Sequence, residues 1–207
     1  MTVPKPTLLI ACGALALEVT QLIEINNWHA FEVTCLPAKY HNTPDKIVPA
    51  MQEKIQEAKA SEKYGNILAL YGDCGTGGML DQLLEKEGVE RIPGAHCYEF
   101  YTGSNAFAAL VEEEIGTFYL TDYLARFFER LIMEGMGINR HPELLPMYFG
   151  NYKRLVYLAQ TDDPEIERLA VAAAERLGLA FEKRKTEYGE LATFMDSHAD
   201  REPTWQN

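Results

Sequence analysis

Residues 66–78 read Asn-Ile-Leu-Ala-Leu-Tyr-Gly-Asp-Cys-Gly-Thr-Gly-Gly, an apolar run that passes directly into a glycine-rich loop. A short continuous apolar run is typical of a strand that is buried on both faces of a parallel sheet. A helical pattern over residues 79–86 follows the loop and ends before Gly88. This strand–loop–helix unit predicts an α/β fold, with the loop at the carboxyl end of its strand.

Similar units precede and follow this one. We predict six strands, at residues 7–11, 31–36, 66–71, 91–95, 154–159 and 179–183. Helical patterns alternate with them and begin at residues 14, 44, 79, 105, 122, 142 and 164. The alternation predicts one open, mostly parallel sheet covered by helices, which is Rossmann-like but lacks the dinucleotide fingerprint. We expect a single α/β domain over residues 1–195 and a polar C-terminal tail over residues 196–207.

The composition excludes several classes of protein. The 207 residues include 31 acidic and 19 basic side chains, for a net charge of −12. Such a surface repels phosphate backbones and anionic lipids, which argues against nucleic-acid and membrane partners. No stretch approaches the roughly 20 apolar residues of a membrane helix, and the apolar run at residues 7–11 is too short for a signal peptide. We therefore expect a cytoplasmic protein, in which cysteines at special positions indicate metal binding or catalysis.

Three of the four cysteines follow the ends of predicted strands, namely Cys12, Cys74 and Cys97, and His41 follows another strand. Because the carboxyl ends of parallel strands share one edge of the sheet, we expect these four side chains to converge. A Cys₃His set suits zinc or an iron–sulfur cluster. The sulfurs should lie within about 4 Å of one another around zinc, and on the order of 6 Å apart around a cubane cluster. Cys35 lies inside a predicted strand, and we expect it to be a small core residue.

The fourth ligand has two candidates. His96 is the alternative to His41, although neighbouring side chains in an extended chain, here His96 and Cys97, point apart. Either histidine beside Cys74 would instead make a metal-free Cys–His nucleophile. The candidate acid–base residues are Asp73, His96, Glu99 and Asp122.

Small residues beside the cysteines let a ligand approach the backbone closely. The candidate cofactor-binding residues of this kind are Gly13, Gly75, Thr76, Gly77 and Gly78. The loop lacks the Lys-Ser/Thr ending of a P-loop, so a nucleotide is not favoured, and the chain has no Gly-x-Ser-x-Gly elbow of a serine hydrolase.

Several segments resemble an uncharacterised bacterial and archaeal family that is known chiefly as a domain of unknown function. They are Ile10-Ala-Cys12-Gly-Ala-Leu15, Leu36-Pro-Ala-Lys-Tyr-His41-Asn-Thr-Pro44, Leu70-Tyr-Gly-Asp-Cys74-Gly-Thr-Gly-Gly78, Gly94-Ala-His96-Cys97-Tyr-Glu99 and two later stretches at residues 116–122 and 148–158. Members are often encoded beside corrinoid-dependent methyltransferases. The resemblance implies a role in methyl-group or one-carbon metabolism, and it supports Cys12, His41, Cys74 and Cys97 as the polar signature.

Three functions stay open at this point. The first is a metalloenzyme that acts on a small-molecule substrate. The second is a non-enzymatic accessory protein that binds a metal or cofactor and has a corrinoid protein or methyltransferase as its partner. The third is a metal-free enzyme with a cysteine nucleophile. A homo-oligomer also stays open, because aromatic residues such as Phe118, Tyr119 and Phe127 suit a dimer face as well as a core.

Overall fold

A computed structural model describes residues 5–199 of the chain. The chain divides into two compact units, one made of the residues up to Cys97 together with those from Leu191 on, and the other of Tyr98–Glu190. The predicted single domain over residues 1–195 stays a prediction. Of the predicted tail, residues 196–198 continue the last helix, whereas residues 200–207 lie outside the described residues.

The first unit holds a four-stranded, fully parallel sheet with the order β2-β1-β3-β4. Its strands are β1 (Thr7–Cys12), β2 (Phe31–Leu36), β3 (Asn66–Leu70) and β4 (Glu90–Arg91). Its helices are α1 (Ala16–Asn26), α2 (Ile47–Ala60) and α3 (Met79–Glu87), with 3-10 turns at Gly13–Leu15, Ala38–Asn42 and Pro44–Lys46. All six residues of β1 are buried, as an apolar strand with neighbours on both edges requires.

The strand order determines where a site can form in this unit. After β1 the chain crosses to β2 on one side of β1, and it then returns to β3 on the other side. The connections therefore leave the carboxyl ends of β1 and β3 in opposite directions, which is the point at which open α/β sheets place their ligands. Cys12 ends β1, and the glycine-rich loop at residues 72–78 follows β3.

The second unit holds a three-stranded parallel sheet with the order β5-β6-β7. Its strands are β5 (Thr117–Thr121), β6 (Arg154–Ala159) and β7 (Ala180–Lys185). Its helices are α4 (Glu99–Thr102), α5 (Ser104–Glu113), α6 (Asp122–Arg126), a π-helical segment (Glu129–Glu134), α7 (Leu144–Phe149) and α8 (Pro164–Leu177), and the boundary between the units falls within α9 (Gly189–His198). The core of this unit packs β6 against the apolar face of α8.

The prediction of an open, parallel, helix-covered α/β fold is confirmed, but the strands form two sheets instead of one. The sequence reading missed β5, a run of five residues of which four are buried. It also made the fourth strand too long: β4 ends at Arg91, because Pro93 has no N–H group to continue the ladder. The helix predicted to begin at residue 122 is broken at Phe127, which leaves helical geometry with φ −116° and ψ 21°.

The prediction for Cys35 is wrong, because this side chain is exposed. Strand β2 lies at the edge of its sheet, and only its first and last residues, Phe31 and Leu36, are buried. None of the helices within residues 5–199 is both long and apolar enough to cross a bilayer.

Candidate functional site

Three cysteine thiols meet at the carboxyl edge of the first sheet. Cys74 Sγ lies 3.7 Å from Cys97 Sγ, and Cys97 also shares a hydrogen bond with Cys12. Cys12 is the last residue of β1, whereas Cys74 and Cys97 lie in the loops after β3 and β4. The strand order therefore brings together three residues that are distant in sequence, with Cys97 in contact with the other two.

Both candidate histidines contact the same sulfur. His41, in the turn after β2, and His96, beside Cys97, each hydrogen-bond to Cys74. His41 is exposed, whereas His96 is half-buried. We call Cys12, Cys74, Cys97, His41 and His96 together the thiol cluster. Its solvent-facing member is His41.

Two glycines let the loop after β2 pack against this edge. A Cβ atom on Gly13 would lie 3.0 Å from the carbonyl oxygen of Leu36 and 3.1 Å from the nitrogen of Ala38. A Cβ atom on Gly75 would lie 3.2 Å from Cγ of Pro44. Gly13 and Gly75 thus permit close approach between parts of the chain itself, and this packing holds the His41 loop against the loops of Cys12 and Cys74.

The loop after β3 is joined to the segment that carries His96 and Cys97. The backbone N–H groups of residues 73 and 74 donate to the carbonyl oxygens of residues 94 and 95, at 3.2 and 2.8 Å. A Cβ atom on Gly72 would lie 3.0 Å from two backbone atoms of His96. These contacts continue the pairing of β3 and β4 beyond the end of the strands, and they bring Cys97 next to Cys74.

The carboxylate of Asp73 organises the glycine-rich loop. It accepts hydrogen bonds from the Thr76 hydroxyl at 2.6 Å, from Gly78 N–H at 2.8 Å and from Gly77 N–H at 3.1 Å, and Gly75 N–H also hydrogen-bonds to it. Burial opposes ionisation, but these hydrogen bonds outweigh it and lower the pKa of Asp73 below its ordinary value. The backbone N–H groups of Gly75, Gly77 and Gly78, which were predicted to bind a cofactor, therefore donate to the Asp73 carboxylate of the chain itself.

Cys74 has a strained backbone. Its φ is +46°, in the left-handed region that residues other than glycine rarely adopt. Such strain costs on the order of 1–3 kcal/mol and persists where the surrounding structure enforces it, often at functional sites. The Asp73 hydrogen bonds and the pairing with residues 94–95 enforce it here.

The hydrogen bonds of the thiol cluster favour thiolates at two of its three cysteines. The pKa of Cys74 is lowered to about 3, mainly by its hydrogen bond with Cys97 and further by those with His41 and His96. Burial acts in the opposite direction but has a smaller effect. The hydrogen bond with Cys97 is also the main cause of the lowered pKa of Cys12. Cys97 hydrogen-bonds to both, which raises its own pKa well above the ordinary value. The hydrogen bond with Cys74 raises the pKa of His41.

The sequence reading missed Tyr71 as a member of this site. Its side chain is 1% exposed, and its hydroxyl hydrogen-bonds to Cys12. Its pKa is raised mainly by burial and to a lesser extent by the charges of the three cysteines. The signal in the sequence is a polar-tipped aromatic residue at the junction of an apolar strand with a glycine-rich loop, because a buried tyrosine needs a partner for its hydroxyl.

Two further candidate carboxylates belong to the second unit. Glu99 is buried in the first turn of α4. Asp122 accepts hydrogen bonds from the Tyr157 hydroxyl at 2.7 Å, Gln160 N–H at 3.0 Å, Thr161 N–H at 3.1 Å and the Thr161 hydroxyl at 2.5 Å. Because its oxygens are occupied, Asp122 joins the ends of β5 and β6 and has a structural role.

Arg91 holds the segment that leads to Cys97. Its guanidinium donates to both carboxylate oxygens of Asp81 on α3, and to the carbonyl oxygens of Ile92 at 2.9 Å and Gly94 at 3.1 Å. The Gly94 carbonyl also accepts the backbone bond from the Cys74 loop described above. One planar donor group therefore fixes the turn between β4 and the thiol cluster.

We expect Arg91→Lys to misplace Cys97 while the chain stays folded. Lysine keeps the charge but cannot make the forked contact with Asp81 and reach two carbonyl oxygens at once. The rate at which Cys97 reacts with an alkylating reagent should rise, because its thiol loses its contact with Cys74. Peptide mapping after timed alkylation measures this rate. Arg168→Lys on α8, where the arginine makes an exposed pair with Glu165, is the control. Equal Cys97 reactivity in the two variants would contradict the positioning role of Arg91.

The side chains do not form a finished metal site. Among residues 5–199, no group of three or more His, Cys, Asp or Glu side chains is arranged so that it could hold a metal ion. The contacts present are those between sulfurs and between sulfur and imidazole.

Residues 35–195 match the model of the family DUF1638, described as a protein of unknown function. The matched range includes His41, Cys74, His96 and Cys97, while Cys12 precedes it. No curated protein and no solved structure matches the chain. Because the matched range covers well over half of its length, the chain belongs to the DUF1638 family of proteins of unknown function.

Proposed function

We propose that the chain binds one metal ion through Cys12, Cys74 and Cys97 and uses it on a small-molecule substrate. The observation that carries the proposal is the contact of three thiols from three strand ends, with 3.7 Å between Cys74 Sγ and Cys97 Sγ. Two thiolates on a tetrahedral zinc ion, with Zn–S bonds of about 2.3 Å, lie about 3.8 Å apart. Ligands of a cubane cluster lie on the order of 6 Å apart, so the distance favours a single zinc ion over an iron–sulfur cluster.

The donor set fits such an ion, although the site is not closed by the side chains as they stand. Thiolate and imidazole are the ligands that zinc prefers. Cys12 and Cys74 both contact Cys97 already. Binding an ion would require these side chains to turn about χ1, which cysteine and histidine side chains do between discrete rotamers.

The exposure of His41 supports a catalytic site over a purely structural one. Structural zinc sites are closed, whereas catalytic sites keep an exchangeable position for water or substrate. A fourth ligand on the solvent side, hydrogen-bonded to Cys74, can give way to an incoming molecule and accept a proton from it. The metal would supply Lewis acidity to a bound water or thiol. The resemblance described above suggests a small-molecule substrate of methyl-group or one-carbon metabolism and a corrinoid protein or methyltransferase as partner.

Metal analysis tests the proposal directly. The full chain is purified under reducing, oxygen-free conditions, loaded with zinc, and freed of unbound ions on a desalting column. About one zinc per chain is expected. A brown protein that contains iron and sulfide would show that the site holds an iron–sulfur cluster instead of zinc. A chain that retains no metal would overturn the proposal.

A metal-free cysteine enzyme is the second candidate, and the hydrogen bond between Cys74 and His41 favours it. An imidazole beside a thiolate on a strained loop is the arrangement of a nucleophilic cysteine. The two candidates differ in how Cys74 responds to zinc. In the metal reading zinc protects Cys74 from alkylation, whereas in the nucleophile reading Cys74 reacts equally fast with and without zinc.

We expect His41→Ala to lower zinc affinity by about tenfold or more, which corresponds to about 1.4 kcal/mol, because it removes the fourth ligand on the solvent side. His96→Ala should have a smaller effect, since His96 is half-buried and does not lie on the solvent side proposed for the fourth ligand. Competition with a chromophoric chelator measures both affinities. His29→Ala, at an exposed histidine in the turn before β2, is the control. Equal affinities for His41→Ala and His29→Ala would remove His41 from the ligand set.

A further inference from the structure

Two sulfurs of the thiol cluster are close enough to react with each other. Cys74 Sγ and Cys97 Sγ are 3.7 Å apart, and both residues are free cysteines. A disulfide bond measures about 2.05 Å, so the two sulfurs need to approach by only about 1.7 Å. The backbones of residues 74 and 95 are already joined by a hydrogen bond of 2.8 Å, which keeps the two loops side by side.

We propose that Cys74 and Cys97 are a redox pair, which a hydroperoxide oxidises to an intramolecular disulfide. The disulfide itself needs no metal. Its effect on an ion rests on the proposed function, because the bond would remove two of the three thiolate ligands and release the ion. The thiol cluster would then bind metal only in its reduced state.

The backbone favours a disulfide between Cys97 and Cys74 over a disulfide between Cys97 and Cys12. Cys12 is the last residue of β1, which lies between β2 and β3, and it is paired with Leu36 of β2. Moving it would disturb the sheet. Cys74 and Cys97 both lie in loops beyond the strand ends. The extra approach needed for a bond can therefore be taken up by the loops.

The reaction proceeds in two balanced steps. The Cys74 sulfur attacks one oxygen of the hydroperoxide, so that an S–O bond forms, the O–O bond breaks, and the leaving alcohol or water takes up a proton. The Cys97 sulfur then attacks the Cys74 sulfur, so that the S–S bond forms and the sulfenic oxygen leaves as water with the proton of Cys97. Two thiols and one hydroperoxide thus give one disulfide, one alcohol or water, and one water. His41 is exposed and hydrogen-bonds to Cys74. A small oxidant would therefore approach the Cys74 sulfur from the side of His41.

Hydrogen peroxide on the reduced, chelator-treated full chain tests the proposal. We expect the chain to become about 2 Da lighter as one disulfide forms, and peptide mapping should link Cys74 to Cys97. Cys97→Ser should stop at the sulfenic acid, so that Cys74 reacts with dimedone. Cys35→Ser, at an exposed cysteine outside the cluster, should behave like the parent. A linkage through Cys12, or no intramolecular linkage in the parent chain, would overturn the proposal whatever the variants do.

A parallel sample loaded with zinc separates this proposal from the proposed function. Zinc should slow formation of the disulfide at least tenfold, and each disulfide formed should release one zinc ion, read with a chromophoric chelator. A chain that forms the Cys74–Cys97 disulfide but never binds zinc supports the redox pair and overturns the metal proposal. A chain that binds zinc but forms no such disulfide does the reverse.

Discussion

Cys74→Ser is expected to abolish zinc binding. Cys74 contacts Cys97 and both imidazoles of the thiol cluster, so that most contacts of the cluster converge on its sulfur. A hydroxyl is a far poorer ligand than a thiolate for a borderline ion. The loss in affinity should exceed the roughly 10–100-fold that removal of an outer-shell partner costs a metal site. Metal quantification after zinc loading measures it.

Thermal melting gives an independent reading of the same substitution. An ion present at 100 times its dissociation constant stabilises the folded state by about 2.7 kcal/mol. Zinc should therefore raise the melting temperature of the parent chain and leave that of Cys74→Ser unchanged. Cys35→Ser is the matched control, and because Cys35 is exposed it should keep both its zinc and its stability. Equal zinc content in Cys74→Ser and the parent would refute the metal site and favour the cysteine nucleophile.

Of the three candidate carboxylates Asp73, Glu99 and Asp122, Asp122 is expected to cause the largest loss of stability when it is replaced by alanine. Asp122 is 2% exposed and accepts hydrogen bonds from Tyr157, Gln160 and Thr161. Alanine would leave these buried donors without their acceptor, and each such group costs about 1–3 kcal/mol. A loss of about 3 kcal/mol or more in the free energy of unfolding follows. Urea titration followed by circular dichroism measures it.

The control for this stability prediction is a nearby aspartate. Asp162 is exposed and pairs with Lys185 at 2.6 Å. Since exposed ion pairs contribute little, Asp162→Ala should unfold at the same urea concentration as the parent. An unchanged midpoint in Asp122→Ala would show that the buried network does not hold the ends of β5 and β6 together.

Elements with strong local signals were predicted well. Strand β6 has the predicted bounds, Arg154–Ala159, because an apolar run of this length fits only a buried strand in this context. Helix α8 begins after Asp163, whose side chain accepts from Glu165 N–H, and ends at Gly178 in left-handed geometry. Thr121 likewise caps α6, and its side chain accepts from Leu124 N–H. In each case the residues that decide the element lie within it or next to it.

Elements that depend on distant partners were predicted poorly. Strand β4 is two residues long and exists because β3 offers its free edge to Glu90 and Arg91. Strand β5 forms in the same way along β6. Cys35 occupies an apolar strand but is exposed, since β2 has a neighbour on one edge only. Whether a strand is central or lies at an edge depends on the order of the whole sheet, which no local pattern encodes.

The sequence by itself determined that strands and helices alternate, and that Cys12, Cys74 and Cys97 each follow a strand on the same side of a parallel sheet. Only the tertiary structure decided the contacts among them: Cys97 lies against both other thiols, both imidazoles bond to Cys74, and the amides of the glycine-rich loop are engaged by Asp73. Only the tertiary structure assigned Glu99 to a different unit from the cysteines. The physical reason is that an alternating pattern and a strand end are properties of neighbouring residues. Contacts between loops depend instead on strand order and close packing, which involve residues far apart in the chain.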